Sequence, residues 1–393
     1  MGAGMQRTVE KVFFALIRFE INSDNLCDEI KNLITPEMLP ALFKLSKRHD
    51  LAHLIGDALD KHGLLPDGTE AKKRFLQERN MAVYRIEQLR YEYEQTFAIL
   101  EELQVDYLPL KGTVLRKLYP EDWMRTSADV DVLVHKVDLG KIIAALQEKL
   151  EYVQESIGAY DAVVISPTGF HLELHFDLIT KYDNETANDL LANVWDYTDR
   201  VGNSYQRIMR DDYFYYYHLA HMARHFIDGG CGVRPYVDLW LLDKKISFDK
   251  ENRNALLEKG GLLKFAQASE FLSRVWLEDE PHVQESRWLE DYLLNGGVYG
   301  NKENKVVIQQ GQTGSRFKYI MSRIFMPFEE MQYRYEVLKK HKWLYPFMIV
   351  RRCFEVLFKG DSKRIKKELQ ASEGISSEKQ MESMQLIEYL GLK

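Results

Sequence analysis

The sequence predicts an α+β fold: a small mixed β-sheet core with helical regions on its N-terminal and C-terminal sides. Three observations predict it. Short apolar or alternating runs, which suit strands, fall within residues 105–185. Both flanks carry apolar residues at helical spacing. Within the core, apolar runs and helical patterns follow one another in turn, as in folds that lay helices on a sheet. The expected organisation is a helical region over 1–104, the sheet core over 105–185, and a helical domain packing on the core over 186–295. A loop rich in Gly, Asn and Gln follows over 296–314, then a C-terminal helical region over 315–393.

The elements can be justified in chain order. Thr8 to Glu20, Pro36 to Arg48 and Asp50 to His62 have helix-like apolar spacing. Glu70 to Glu102 reads as one long helix leading into a strand at Tyr107-Leu108-Pro109-Leu110. Lys111-Gly112-Thr113 turns that strand into a helical pattern at Val114, Leu115 and Leu118. Strand, glycine turn and helix start is a layout that cradles phosphate. Gly112 lets backbone approach an anion, Thr113 can cap the helix or touch a phosphate, and Lys111 supplies a point charge. The segment from Tyr119 to Met124 reads as a surface loop.

Asp129-Val130-Asp131-Val132-Leu133-Val134 is the most informative stretch. On a strand, residues two apart share a face. Val130, Val132 and Val134 then face inward, and two carboxylates stand side by side. Such a pair is costly unless a cation sits between the acids, and hard divalent cations take oxygen ligands. Asp138 is placed to cap a helix over Leu139 to Leu150, with Leu139, Ile142, Ile143, Leu146 and Leu150 as its buried stripe. Asp161 to Ile165 reads as a strand, and Ser166-Pro167-Thr168-Gly169 as a turn. From Phe170 to Asp177 the chain alternates. Phe170, Leu172, Leu174 and Phe176 form one face; His171, Glu173, His175 and Asp177 form the other. The hairpin thus offers a third acid, Glu173, between leucines.

This order of elements resembles the polymerase-β-like nucleotidyltransferase superfamily, through Gly112-Thr113, Asp129 and Asp131, and Leu172-Glu173-Leu174. More narrowly, Leu110-Lys111-Gly112, Tyr119-Pro120, Arg125 to Asp131 and Glu173-Leu174-His175 look like a bacterial nucleotidyltransferase family that carries a Leu-Lys-Gly motif. The likeness spans roughly Tyr107 to Asp177. It continues loosely through His218 to His225 and Tyr236 to Trp240. Two departures stand out: Thr113 replaces the usual Ser, and the gap to Asp129 is longer than usual.

The resemblance implies a transferase that moves a nucleoside monophosphate from a triphosphate such as ATP to an acceptor hydroxyl on a small molecule, a protein or an RNA. It implies Asp129, Asp131 and Glu173 as catalytic residues and metal ligands, holding two Mg²⁺ ions, with Mn²⁺ as the alternative. It implies Lys111, Gly112, Thr113 and Arg125 as the nucleotide-binding set.

Two rival readings stay open. One is a catalytically degenerate member that serves as a partner-binding protein. The other is a metal-dependent phosphohydrolase built on the histidine-rich helix from Asp212 to Ile227. There His221 and His225 share a face and Asp238 follows, although that reading wants a His-Asp dipeptide and the helix has none. Arg224 and Arg234, near the turn Gly229 to Gly232, are placed to touch a phosphate or to pair with Asp228 or Asp238.

Composition narrows the class. The chain has 393 residues, 45% of them hydrophobic, and a net charge of −7. That supports a sizeable core and argues against a general nucleic-acid binder. Cys27, Cys231 and Cys353 have no metal or disulfide spacing, which points to a reducing cytoplasm. The longest apolar stretch, Trp343 to Val350, is too short to span a bilayer, so no membrane is expected among the partners. Lys359, Lys363, Arg364, Lys366 and Lys367 form a basic cluster that reads as a solvated helix face or a contact for an anionic partner.

Overall fold

The computed structural model describes residues 3–22, 25–127, 129–178, 185–298, 300–313, 321, 325, 328, 331–332, 335–358 and 377–392. The chain divides into two compact units. One comprises residues 1–222 and 233–282; the other comprises 223–232 and 283–393.

The first unit opens with helices α1 (Ala3–Asn22), α2 (Asp28–Leu33), α3 (Leu39–Arg48), α4 (Ala52–Lys61) and α5 (Glu70–Glu102). Helix α5 starts on a side-chain cap, with Thr69 accepting from the Lys72 amide. It delivers the chain to β1 (Tyr107–Pro109), the short helix α6 (Gly112–Leu115), β2 (Asp129–Val134), α7 (Leu139–Leu150), β3 (Val153–Ile157), β4 (Asp161–Ile165) and β5 (His171–His175). The sheet order is β1-β2-β5-β4-β3. Only β2 and β5 run parallel; the other pairs are antiparallel. The expected α+β class, with a small mixed sheet and flanking helices, is what the structure shows.

One face of the sheet is apolar. Val130, Val132, Val134, Ala162, Val164, Leu172 and Leu174 join a single core with Ile86, Leu89, Ile99 and Leu100 of α5 and Ile142, Ile143 and Leu146 of α7. Two helices thus cover one face. The period-2 alternation sends Asp129, Asp131, Glu173 and His175 to the other.

Past the sheet come α8 (Glu185–Ala192), the two-stranded ribbon β6 (Thr198–Arg200) and β7 (Arg207–Met209), and α9 (Asp211–Ile227). Helices α10 (Arg234–Lys245), α11 (Lys250–Lys259) and α12 (Leu263–Glu278) follow. The second unit holds α13 (Gln284–Gly296), α14 (Lys302–Thr313), α15 (Val337–Lys340), α16 (Tyr345–Phe358) and α17 (Ser377–Leu390).

Three local expectations are corrected. The segment 296–314 is not all loop, since α14 occupies most of it. Asp138 makes no side-chain cap to α7; its carboxylate pairs with Lys141 at 2.8 Å instead. The Tyr119–Met124 segment is not simply surface, because Tyr119 and Met124 are buried. The basic cluster from Lys359 to Lys367 lies outside the described residues.

Candidate active site

The site is built where β1, β2 and β5 meet. The Leu110 amide donates to the Asp131 carbonyl at 3.0 Å, so the turn after β1 is tied to the acidic strand. That tie sets Lys111 beside Asp131, with Nζ 3.2 Å from Oδ1. Lys111 has φ 38° and ψ −106°, a backbone state that L-residues rarely adopt. Thr113 does not cap α6, because Lys111 is the N-cap and Thr113 is already inside the helix.

The parallel register sets Asp131 directly opposite Glu173. His175, two residues on, points to the same face; its Nε2 lies 2.7 Å from Asp131 Oδ1 and 3.4 Å from Glu173 Oε2. Among the described residues, Asp131, Glu173 and His175 form the one group of three such side chains whose ligand atoms all lie within 4.8 Å of one another. His175 is the member that sequence reasoning missed, although its place on the polar face of β5 was readable. Asp129 falls outside that trio and stands near it.

The electrostatics match this geometry. Burial alone would push the Asp131 carboxyl up, but Lys111 and His175 hold it well below the usual carboxylate range. Burial likewise opposes the charge on His175, yet its bonds to Asp131 and Glu173 raise it to about 9. Lys111 is held protonated against burial by Asp131. Asp129 is raised, first by burial and then by the neighbouring charges of Asp131 and Glu173. Three acids therefore face two cationic groups, an excess that a further cation can satisfy.

The loop entering β2 is anchored by a second charge cluster. Arg125 donates through Nε and Nη2 to both oxygens of Asp238 on α10, at 2.8 and 2.9 Å. The Tyr119 hydroxyl donates to Asp238 Oδ1 at 2.8 Å. All three side chains are buried. Arg234, also on α10, donates to Asp50 Oδ2 and to the Thr126 carbonyl, each at 2.9 Å. Arg116 donates through Nη2 to Ser127 Oγ at 2.8 Å. A Cβ on Gly112 would lie 2.9 Å from Arg125 Nη1, so the glycine turn and the anchored loop are in close approach and only glycine fits between them.

Residues 36–278 match the model of the family described as uncharacterised nucleotidyltransferase. The chain belongs to that family. No curated protein and no solved structure matches it. The nucleotidyltransferase match covers the whole sheet and every residue of the candidate site.

The rival built on the histidine helix loses its acid, because Asp238 is committed to Arg125 and Tyr119. His218 on α9 bonds through Nε2 to the Pro235 carbonyl at 3.0 Å. Arg234 pairs with Asp50 rather than with Asp238. No helix is long and apolar enough to cross a membrane among the described residues.

Proposed function

We propose that this nucleotidyltransferase moves a nucleoside monophosphate from a nucleoside triphosphate to an acceptor hydroxyl, with Asp129, Asp131 and Glu173 as its catalytic acids. One observation carries the reading: Asp131 and Glu173 stand opposite each other in parallel register, with Asp129 next to them, on the polar face of the acidic strand pair. The donor set, mostly carboxylate oxygen with one imidazole, fits a hard divalent cation such as Mg²⁺ or Mn²⁺. Asp129, Asp131 and Glu173 would hold it. Once bound, such a cation neutralises the triphosphate and polarises the transferring phosphoryl group.

The chain's own residues then orient and exchange protons. The acceptor oxygen bonds to the α-phosphorus, the bond from that phosphorus to the bridging oxygen breaks, and pyrophosphate leaves with the electron pair. Glu173 has an alternative role: where Asp129 and Asp131 alone hold the cation, it accepts the hydroxyl proton. Lys111, with Gly112 and Thr113, steadies the departing phosphates. A lysine held at positive φ supports that role, since a glycine would sit there without strain and the ammonium is what glycine lacks. Arg125 keeps the β2 loop at the phosphates through its tie to Asp238. Catalysis is mostly positioning and electrostatics.

The test uses purified protein with each α-labelled triphosphate, Mg²⁺ and a cell extract. Expected are a labelled product, released pyrophosphate, and thermal stabilisation by triphosphate that needs Mg²⁺. Stabilisation by triphosphate that is unchanged in chelator, together with no labelled product, overturns the reading.

A further inference from the structure

We propose that the exposed face of helix α16, with the lysine run just before it, docks the protein peripherally on an anionic phospholipid surface. Trp343, Phe347 and Val350 are 69%, 63% and 55% exposed. Phe347 and Val350, three residues apart on α16, share one face, and Trp343, in the 3-10 turn just before the helix, lies over the same side. The Trp343 and Phe347 rings confirm it, edge to face with centroids 6.4 Å apart. Phe354, one turn further on, is also exposed.

The opposite face of the same helix is already used. Tyr345, Met348 and Ile349 pack on a cluster of Met331, Tyr335 and Leu338. A helix apolar on both faces needs a second apolar surface. Isolated exposed apolar side chains are ordinary, but a contiguous aromatic strip marks an interaction site.

Charge identifies the occupant. From Val337 to Arg352 the sequence carries Lys339, Lys340, Lys342, Arg351 and Arg352 and no acidic residue, in a chain whose net charge is −7. Arg352 is buried and Arg351 pairs with Glu355 at 2.9 Å. Lys339, Lys340 and Lys342 are exposed beside Trp343. Lysines next to an aromatic strip match the headgroup layer and the acyl boundary beneath it. Neither signal suffices alone, and together they give stable but reversible binding. This proposal departs from the expectation of no membrane partner, which rested on the want of a spanning segment; a peripheral contact needs none.

The experiment is flotation of the full chain with phosphatidylcholine vesicles, with and without about one-third phosphatidylglycerol. Binding is expected only with the anionic lipid, and it weakens as salt rises. Replacing Lys339, Lys340 and Lys342 by Gln lowers affinity by about two orders of magnitude. Phe347→Ser with Val350→Ser lowers it at least about tenfold. Trp343→Phe keeps binding but removes the vesicle-induced blue shift of tryptophan emission. Melting temperatures of these surface variants stay at the wild-type value. The proposal is overturned by no binding to anionic vesicles, or by binding that Phe347→Ser with Val350→Ser leaves intact. It is equally overturned if the strip proves to join two copies in a dimer that those substitutions dissolve, or if it binds single-stranded nucleic acid and not vesicles.

Discussion

Two charge clusters sit on either side of the loop that enters β2, and they are built from the same ingredients to opposite ends. Around Asp238, one carboxylate meets one guanidinium and one phenol, and both of its oxygens are filled. Around Asp131, three carboxylates meet one ammonium and one imidazole. The first is closed and balanced, and burial holds it shut. The second is partly open and rich in acid. A saturated buried pair fixes geometry and offers a ligand nothing; an unbalanced cluster stays responsive to the next cation that arrives.

The largest contrast is in activity. Asp129→Asn is expected to lower nucleotide transfer by about three orders of magnitude or more, while folding stability is not lost, because burial and the charges of Asp131 and Glu173 already disfavour its carboxylate. Lys111 and His175 keep Asp131 as their partner, and one carboxylate fewer relieves the crowding. Turnover assays and denaturant melts on the same preparation check both halves. Near-normal transfer by the variant removes Asp129 from the mechanism.

The balanced cluster behaves the other way. Asp238→Ala strands the Arg125 guanidinium in the interior and costs about 3–5 kcal/mol of stability. Arg125→Met with Asp238→Leu, which removes both charges, recovers much of that loss. Transfer in the doubly changed protein reports whether the loop keeps its place without the pair. A single-variant cost no larger than that of a surface pair breaks the comparison.

The sequence disclosed the open cluster far better than the closed one, for a physical reason. Asp129 and Asp131 are two apart, Glu173 stands between leucines, and both patterns are local consequences of strand geometry. Helix α5 was readable to its ends, Glu70 and Glu102, because its periodicity is long and Thr69 caps it. Arg125 and Asp238 are 113 positions apart and no local pattern joins them. The same distance hides the burial of Tyr119 in a segment that composition assigns to the surface. His175 was visible on the polar face of β5, but its neighbour Asp131 comes from another strand, and only the register brings the two together. Helix α14 was missed because Gly and Asn weaken helix propensity, and tertiary packing overrode it.

A smaller effect separates charge from backbone at the open cluster. Lys111→Ala and Lys111→Gly both remove the ammonium, but only glycine also releases the positive φ. Glycine is therefore expected to be more stable than alanine there by about 1–2 kcal/mol, with transfer reduced alike in both. Equal melting temperatures for the two would show that the backbone is not strained at this residue.

The smallest effect concerns acid, and it falls on the closed side of the loop. His53 bonds through Nε2 to the Met124 carbonyl at 2.9 Å, with Asp50 and Arg234 nearby. His218 bonds to the Pro235 carbonyl, with Asp238 and Arg125 nearby. Burial lowers both rings below the ordinary histidine value, so both are neutral in the fold. The unfolded chain takes up a proton on each as pH falls through about 6.5. Unfolding then binds protons, so stability rises with pH across this window and is lost below it, by at most about 1.4 kcal/mol per pH unit for each ring. His218→Gln should lower the melting temperature at neutral pH yet flatten its decline between about pH 7 and pH 5. If the variant's decline parallels that of the wild type, His218 is not the group that charges on unfolding.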